Sequence, residues 1–243
     1  MPLSVDPFPL LLALERAFLP PQCLLCDEPV PRGDGDALVC SLCRARWRAV
    51  SPPHCARCGG TLPPGGPCTV CADWPEALGA AWAAVWLDDG ARSAIHRLKY
   101  DGWWRVAEAM AHAMRTAPPL ATPAVLVPVP LGRRRLQRRG YNQAERLAQA
   151  LAGQGGHSVQ ADLLRRRRET GTQTRLTPEG RRVNVLGAFE ATGPVSGRVV
   201  LVDDVLTTGA TLAEAAGALV AAGAGPVHAV TFARARPPAT LLG

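Results

Sequence analysis

Lysine is almost missing from this chain: Lys99 is the single one among 27 basic residues in 243 positions. The positive charge is therefore carried by arginine, and a Walker-type phosphate loop, which needs lysine directly ahead of serine or threonine, is excluded. Thiols are absent beyond residue 71, which confines whatever they do to the first third of the chain. Long apolar runs are also missing. The first apolar stretch, residues 8–19, is interrupted by Glu15 and Arg16, follows Asp6 and has no basic leader or small-residue cleavage site, so it reads as neither a signal peptide nor a membrane span. Leu10, Leu11, Leu14 and Phe18 fall at helical spacing, which predicts a short amphipathic helix within residues 1–20. No other segment is long and apolar enough for a bilayer, and the expectation is a cytoplasmic protein without membrane insertion.

What is present suits a folded chain. Hydrophobic residues make up 47% and charged residues 19%, with mean hydropathy +0.03, enough for one substantial core plus a smaller module and too balanced for disorder. The net charge is +7 and the pI about 9.3. Arginine's planar fork suits phosphate, so polyanionic partners fit this balance. A bias of arginine over lysine with the charges merely solvated would give the same count.

All eight cysteines form four C-x-x-C pairs: Cys23/Cys26, Cys40/Cys43, Cys55/Cys58 and Cys68/Cys71. A C-x-x-C turn aims two thiolates at one point, and two such turns complete the tetrahedral sulfur shell of structural zinc. A disulfide framework is the competing reading, but it belongs to secreted chains. The simplest arrangement is sequential, two small ribbons with one ion each; a crossed arrangement, in which alternate pairs share an ion, has the same spacings. Because the segment has few large apolar residues beyond Leu38, Val39 and Trp47, the metal must supply much of its folding energy. His54 stands beside Cys55 but is surplus among so many thiols.

The texture then changes, and the boundary is placed near residues 73–78: residues 21–75 as the zinc module and 76–243 as an α/β domain. Strands are expected over 81–87, 124–129, 159–164, 199–202 and 227–233. Helices are expected over 92–99, 103–114, 142–152 and 212–222, with a break at Tyr100-Asp101-Gly102. Strands alternating with helices predict a mostly parallel sheet covered on both faces. Ligands of such sheets sit beyond the carboxyl ends of the strands, which directs attention to loops 128–140, 165–184 and 203–211.

The third loop is the most informative. An apolar strand leads into Asp203 and Asp204, then Val205, Leu206, Thr207, Thr208, Gly209, Ala210 and Thr211, where a helix opens. A helix N-terminus offers unpaired N–H groups and the positive end of the dipole, which suits a phosphate; the threonines add hydroxyl donors, and Gly209 permits close backbone approach. The two carboxylates can accept hydrogen bonds from sugar hydroxyls or face a magnesium ion. The G-x-G-x-x-G of a dinucleotide fold is absent.

This stretch resembles the phosphoribosyl pyrophosphate (PRPP) motif of type I phosphoribosyltransferases. With His96 to Gly102, Val127-Pro128-Val129-Pro130, Arg139-Gly140-Tyr141-Asn142-Gln143-Ala144, Gln173, Leu176, Arg182-Val183-Asn184-Val185 and Ala188-Phe189, and with four C-x-x-C pairs ahead, nearly the whole chain resembles the ComF family. The resemblance implies a type I phosphoribosyltransferase-like sheet behind a double zinc ribbon, PRPP with Mg as ligand, structural Zn on the eight cysteines, and a link to natural competence and DNA uptake. It further implies that Asp203, Asp204, Arg139 and Lys99 carry the chemistry, that the arginines of loop 128–140 (Arg133, Arg134, Arg135, Arg138 and Arg139) face diphosphate, and that loop 165–184 closes over the site.

Two functions remain open on this reading. One is catalytic: a nucleophile displaces diphosphate at the anomeric carbon, with an acceptor the sequence does not name. The other is a non-enzymatic adaptor whose zinc ribbons and arginines, including the run Arg165 to Arg168, engage single-stranded DNA or proteins of the uptake machinery.

Overall fold

The computed structural model describes residues 21–34, 37–51, 54–62, 68–168 and 178–236. The amphipathic helix expected within residues 1–20, and Gln173 and Leu176, lie outside the described residues. The chain divides into two compact units, residues 1–46 and 47–243. This division falls inside the segment that sequence texture marks as zinc module, so the last two C-x-x-C turns pack as part of the larger unit.

The smaller unit is built on its first four cysteines. Helix α1 (Ser41–Ala45) starts at Cys40, whose sulfur accepts from the Cys43 amide, and Asp34 accepts from the Ser41 amide at 2.5 Å.

The larger unit is a five-stranded, wholly parallel sheet, made of β1 (Leu78–Trp86), β2 (Val125–Pro128), β3 (Ser158–Val159), β6 (Val199–Leu206) and β7 (Val227–Arg234) in the order β1-β7-β6-β2-β3. A separate antiparallel pair joins β4 (Leu164–Arg166) to β5 (Phe189–Ala191). Val199, Val200, Leu201 and Val202 are all buried, as a strand covered on both faces requires. Leu201 and Ala229 meet Leu212, Ala215 and Leu219 of helix α7 (Ala210–Ala221) in one cluster. Helices α3 (Val106–Met114) and α5 (Gln143–Gly155) pack against each other and against the sheet, α3 on β1 and β7 and α5 on β2 and β6.

Three elements differ from expectation. Residues 159–164 do not form one strand, because a turn at Ala161-Asp162 separates edge strand β3 from β4. Loop 128–140 holds a seven-residue helix, α4 (Arg133–Arg139), ended by Gly140 in the left-handed conformation. Strand β6 runs four residues past Val202 and takes the acidic pair into the ladder, with Asp203 opposite Thr231. The break after helix α2 (Asp89–Tyr100) falls where expected, at Gly102 with φ +77°. Helix α6 (Pro178–Val185) closes the second long loop. Among the described residues, no helix is long and apolar enough to cross a membrane.

Candidate functional site

The carboxyl end of β6 organises the site. Asp204 is 3% exposed, and a carboxylate so placed needs partners to remain charged. It has two. Lys99 from the last turn of α2 makes an ion pair with Oδ2, and Gln143 from the first turn of α5 donates to Oδ1 at 3.0 Å. Arg139 in turn donates to the Gln143 side-chain oxygen, and its guanidinium lies 5.5 Å from the Tyr100 ring centre. Burial alone would push the Asp204 carboxyl up; the Lys99 charge and the hydrogen bonds outweigh it and hold the group below the ordinary carboxylate range.

Asp203 behaves oppositely. Burial and the neighbouring Asp204 charge push it up to about 8, with Lys99 offsetting only part. Its Oδ1 accepts from the Asp204 amide at 2.8 Å. The pair thus divides into one carboxyl that is ionised and one that holds a proton at neutral pH, a division set by which of them faces lysine.

Local sequence explains why these side chains converge. Asn142 caps α5 by accepting from the Ala144 amide at 3.1 Å, and its amide nitrogen donates to the Val129 carbonyl at 3.0 Å, so the start of α5 is tied to the end of β2. Tyr141 donates to the Leu98 carbonyl, tying the same turn to the end of α2. Gly140 then reverses the chain after α4, so that Arg139 and Gln143 approach Asp204 from adjacent helices.

Past Asp204, Val205 is half-buried and Leu206 belongs to the core, so Leu206 offers the loop only its backbone. Residues 207–211 form the turn into α7. Gly209 is the N-cap, with φ +81° and no side-chain cap bond, and Thr208 Oγ1 accepts from the Ala210 amide at 3.4 Å. A helix begun in this way leaves first-turn amides outside its own ladder and aims its positive end at the carboxyl edge of the sheet.

The cysteines form two sets, Cys23, Cys26, Cys40, Cys43 and Cys55, Cys58, Cys68, Cys71, each with its sulfurs within 4.8 Å of one another. The pairing is sequential, and the crossed alternative is excluded. Four converging thiols are the donor set of structural zinc. Amides support the sulfurs, with Cys40 N–H donating to Cys23 Sγ at 3.4 Å and Cys43 N–H to Cys40 Sγ at 3.4 Å. In the second set, where amides also support Cys58 and Cys68, a guanidinium is added: Arg234, fully buried on β7, donates to the Cys58 carbonyl and lies 3.4 Å from Cys58 Sγ.

Of the residues singled out from sequence, Lys99, Arg139 and Asp204 are brought together, and Asp203 stands beside them. Of the other arginines of α4, Arg135 stands near enough for its charge to act on Arg139. In the second long loop, Arg165 and Arg167 pair with Glu190, at 2.6 and 3.5 Å. Arg166 lies 5.1 Å from the Phe189 ring centre, and Arg168 donates to the Leu186 carbonyl at 2.7 Å. Sequence reasoning did not give Gln143 a part in the site, although it sits one residue past the capping asparagine. It also passed over Trp74, Arg57 and Arg234, whose partners are distant in the chain and leave no local pattern.

Comparison with known proteins agrees with both halves of the molecule. Residues 14–72 match a double zinc ribbon domain and residues 136–241 a phosphoribosyl transferase domain. The chain is 34% identical over 222 residues to the DNA utilization protein YhgH of Salmonella typhi, covering 86% of this chain and 95% of that one. It is 40% identical over 99 residues to Competence protein F of Haemophilus influenzae, covering 39% and 43%. With Competence protein ComFC of Streptococcus pneumoniae it shares 25% over 226 residues, covering 88% and all of that protein.

Proposed function

The chain belongs to the ComF family, whose members join a double zinc ribbon to a phosphoribosyltransferase domain, and from that premise we propose that it binds PRPP with magnesium and transfers the phosphoribosyl group to a nucleophile. The observation that carries this reading is the buried Asp204 carboxylate, held ionised by Lys99 and Gln143 directly ahead of the Gly209-capped helix. That spacing suits a 5′-phosphate on residues 207–211 and ribose hydroxyls on the acidic pair. Carboxylate oxygens are the donors magnesium prefers, so Asp203 and Asp204 fit the ion together with ligand oxygens, and the ion would supply charge neutralisation of the diphosphate.

In the transfer, the bond from the anomeric carbon to the diphosphate oxygen breaks, its electron pair leaving with diphosphate, while the acceptor's lone pair forms the new bond. The carbon becomes oxocarbenium-like on the way. This chain's part is to hold the two ends in line, with Lys99 keeping Asp204 ionised and Arg139 meeting the growing negative charge. The names of the relatives, DNA utilization protein and competence protein, extend the reading to a role in competence and in the use of DNA, a role we assign to the cytoplasm.

Thermal melting tests it. PRPP with Mg²⁺ raises the Tm of the wild type, and Asp204→Asn loses that rise; equal rises in both proteins overturn the assignment.

The adaptor reading has one observation in its favour. Tyr100, Trp103 and Trp104 are exposed at 64%, 44% and 43%, and Arg146 lies 4.7 Å from the Trp104 ring centre. Exposed rings interleaved with arginine suit single-stranded DNA, whose bases stack and whose phosphates are neutralised. Titration with a labelled oligothymidylate at rising ionic strength decides it, because backbone binding weakens steeply with salt. Absence of salt-sensitive binding removes this reading.

A further inference from the structure

Trp74 stands three residues past the last cysteine and is 8% exposed. Its indole N–H donates to the Thr208 carbonyl at 2.9 Å, in the middle of the phosphate loop. Its ring covers Gly209 so closely that a Cβ there would lie 2.8 Å from Nε1 and nearer still to the ring carbons. Gly209 is thus required twice: by its positive φ and by the indole that occupies the space of a side chain.

Trp74 is itself held from the second cysteine set. Arg57, inside the Cys55/Cys58 turn, gives its guanidinium wholly to backbone. It donates to the carbonyls of Cys71 at 3.1 Å, Trp74 at 3.1 Å, Pro75 at 2.9 Å, Leu78 at 3.0 Å and Gly79 at 3.2 Å. The charge also lies 5.9 Å from the Trp74 ring centre. The peptide leading from Cys71 into β1 is therefore wrapped around one arginine, and that arginine is placed by the turn that presents two of the sulfurs. Cys55, Cys58, Cys68, Cys71 and Trp74 share one buried cluster with Leu206 and Leu212, the residues flanking the phosphate loop.

We propose that Trp74 is a positioning residue for the phosphate loop, supported through Arg57 by the second cysteine set, so that zinc on Cys55, Cys58, Cys68 and Cys71 and a phosphate on residues 207–211 strengthen each other's binding. The phosphate half rests on the reading given under Proposed function; the positioning half does not. The physical basis is ordering. A loop that must hold a left-handed residue and present several amides to one anion loses conformational freedom on binding. An indole that fixes Thr208 and Gly209 beforehand removes that cost, and a C-x-x-C turn without its metal no longer fixes Arg57. Linkage then makes the effect reciprocal.

The test uses the full-length zinc-loaded protein. Hydrogen exchange is followed at residues 206–212 without ligand, with α3 as the internal control. Trp74→Ala accelerates exchange in the loop by about tenfold and leaves α3 unchanged. Trp74→Phe, which keeps the ring and removes the N–H, falls between, as does Cys71→Ser. In parallel, zinc affinity is read by chelator competition, and alkylation of each cysteine, followed peptide by peptide, identifies the site that loses its ion. PRPP with Mg²⁺ raises the zinc affinity of the second set by about tenfold in the wild type, and Trp74→Ala removes that dependence. Loop exchange that is the same in wild type, Trp74→Ala and Trp74→Phe overturns the positioning role whatever PRPP does. If the wild type binds no PRPP, the proposed function fails while the exchange result still decides the role of Trp74. If PRPP binds with no change in zinc affinity, the reciprocal coupling is refuted alone.

Discussion

Lys99 and Asp204 form an ion pair in which the lysine side chain is 21% exposed and the carboxylate 4%. The only lysine of the chain is thus spent on the carboxylate at the carboxyl end of β6. A lone buried carboxylate is costly, and removing one partner of such a pair leaves the other uncompensated. Lys99→Met is expected to lower the unfolding free energy at pH 7 by about 2–3 kcal/mol, read by urea titration. Adding Asp204→Asn should recover most of the loss. The pH dependence carries the sign. Asp204 has its pKa lowered by folding, so its contribution is present above the unfolded carboxyl value and is lost as pH falls through the folded one. The Lys99→Met deficit therefore shrinks on acidification below the ordinary carboxyl value of 3.8; a deficit constant with pH would place the lysine's contribution in packing instead.

Asp203 gives the opposite sign. Its pKa is raised to about 8 by burial and by Asp204, so the folded protein without ligand holds an extra proton between the unfolded carboxyl value and about pH 8, and its stability falls as pH rises through that window. Magnesium binding to the pair would expel this proton. Calorimetry with PRPP and Mg²⁺ at pH 7, in buffers of different ionisation enthalpy, should report proton release that vanishes near pH 9 and is absent in Asp203→Asn. Binding without any buffer dependence would mean that Asp203 stays protonated and that Asp204 alone meets the ligand.

Gln143 links two charges, donating to Asp204 and accepting from Arg139. Gln143→Leu keeps the approximate volume and removes both bonds. Its expected effect is a loss of about tenfold in PRPP affinity by calorimetry, with the zinc content unchanged. An affinity equal to wild type would show that Asp204 is held adequately by Lys99 alone.

How far the sequence discloses this molecule depends on the range of each interaction. The buried run Val199 to Val202, the opening of a helix at residue 142 and the Gly102 break are local consequences of side-chain chemistry, and all three appear where they were expected. So do the two cysteine sets, since each draws on neighbouring turns. The extension of β6 through Asp203 and Asp204 was hidden because a carboxylate pair argues against a strand until Lys99, 105 positions earlier, is known to face it. The turn between β3 and β4 was hidden because Val159 and Leu164 fit one apolar strand equally well. The bond from Trp74 to Thr208 joins residues 134 positions apart and has no periodic signature at all.

Arg234 is likewise a long-range partner, bonded to Cys58 from 176 positions away. It is fully buried, its guanidinium lies against the Cys58 carbonyl and sulfur, and a Cβ at Gly60 would lie 3.1 Å from its Cζ. A zinc ion bound by four thiolates carries net negative charge, and burying that charge beside the sheet is unfavourable without a cation to balance it. The arginine supplies that charge, and the thiolates in turn balance a guanidinium that has no water around it. Arg234→Leu should therefore weaken zinc at the second of the two cysteine sets while sparing the first. The zinc retained after dialysis against a moderate chelator, measured by elemental analysis, should fall from two ions per chain to one, with Cys55, Cys58, Cys68 and Cys71 becoming open to alkylation. Arg234→Lys should restore part of the affinity, because it keeps the charge and loses the fork. If Arg234→Leu retains both ions under the same competition, the thiolate charge is balanced elsewhere and the guanidinium serves only to fill the space above Gly60.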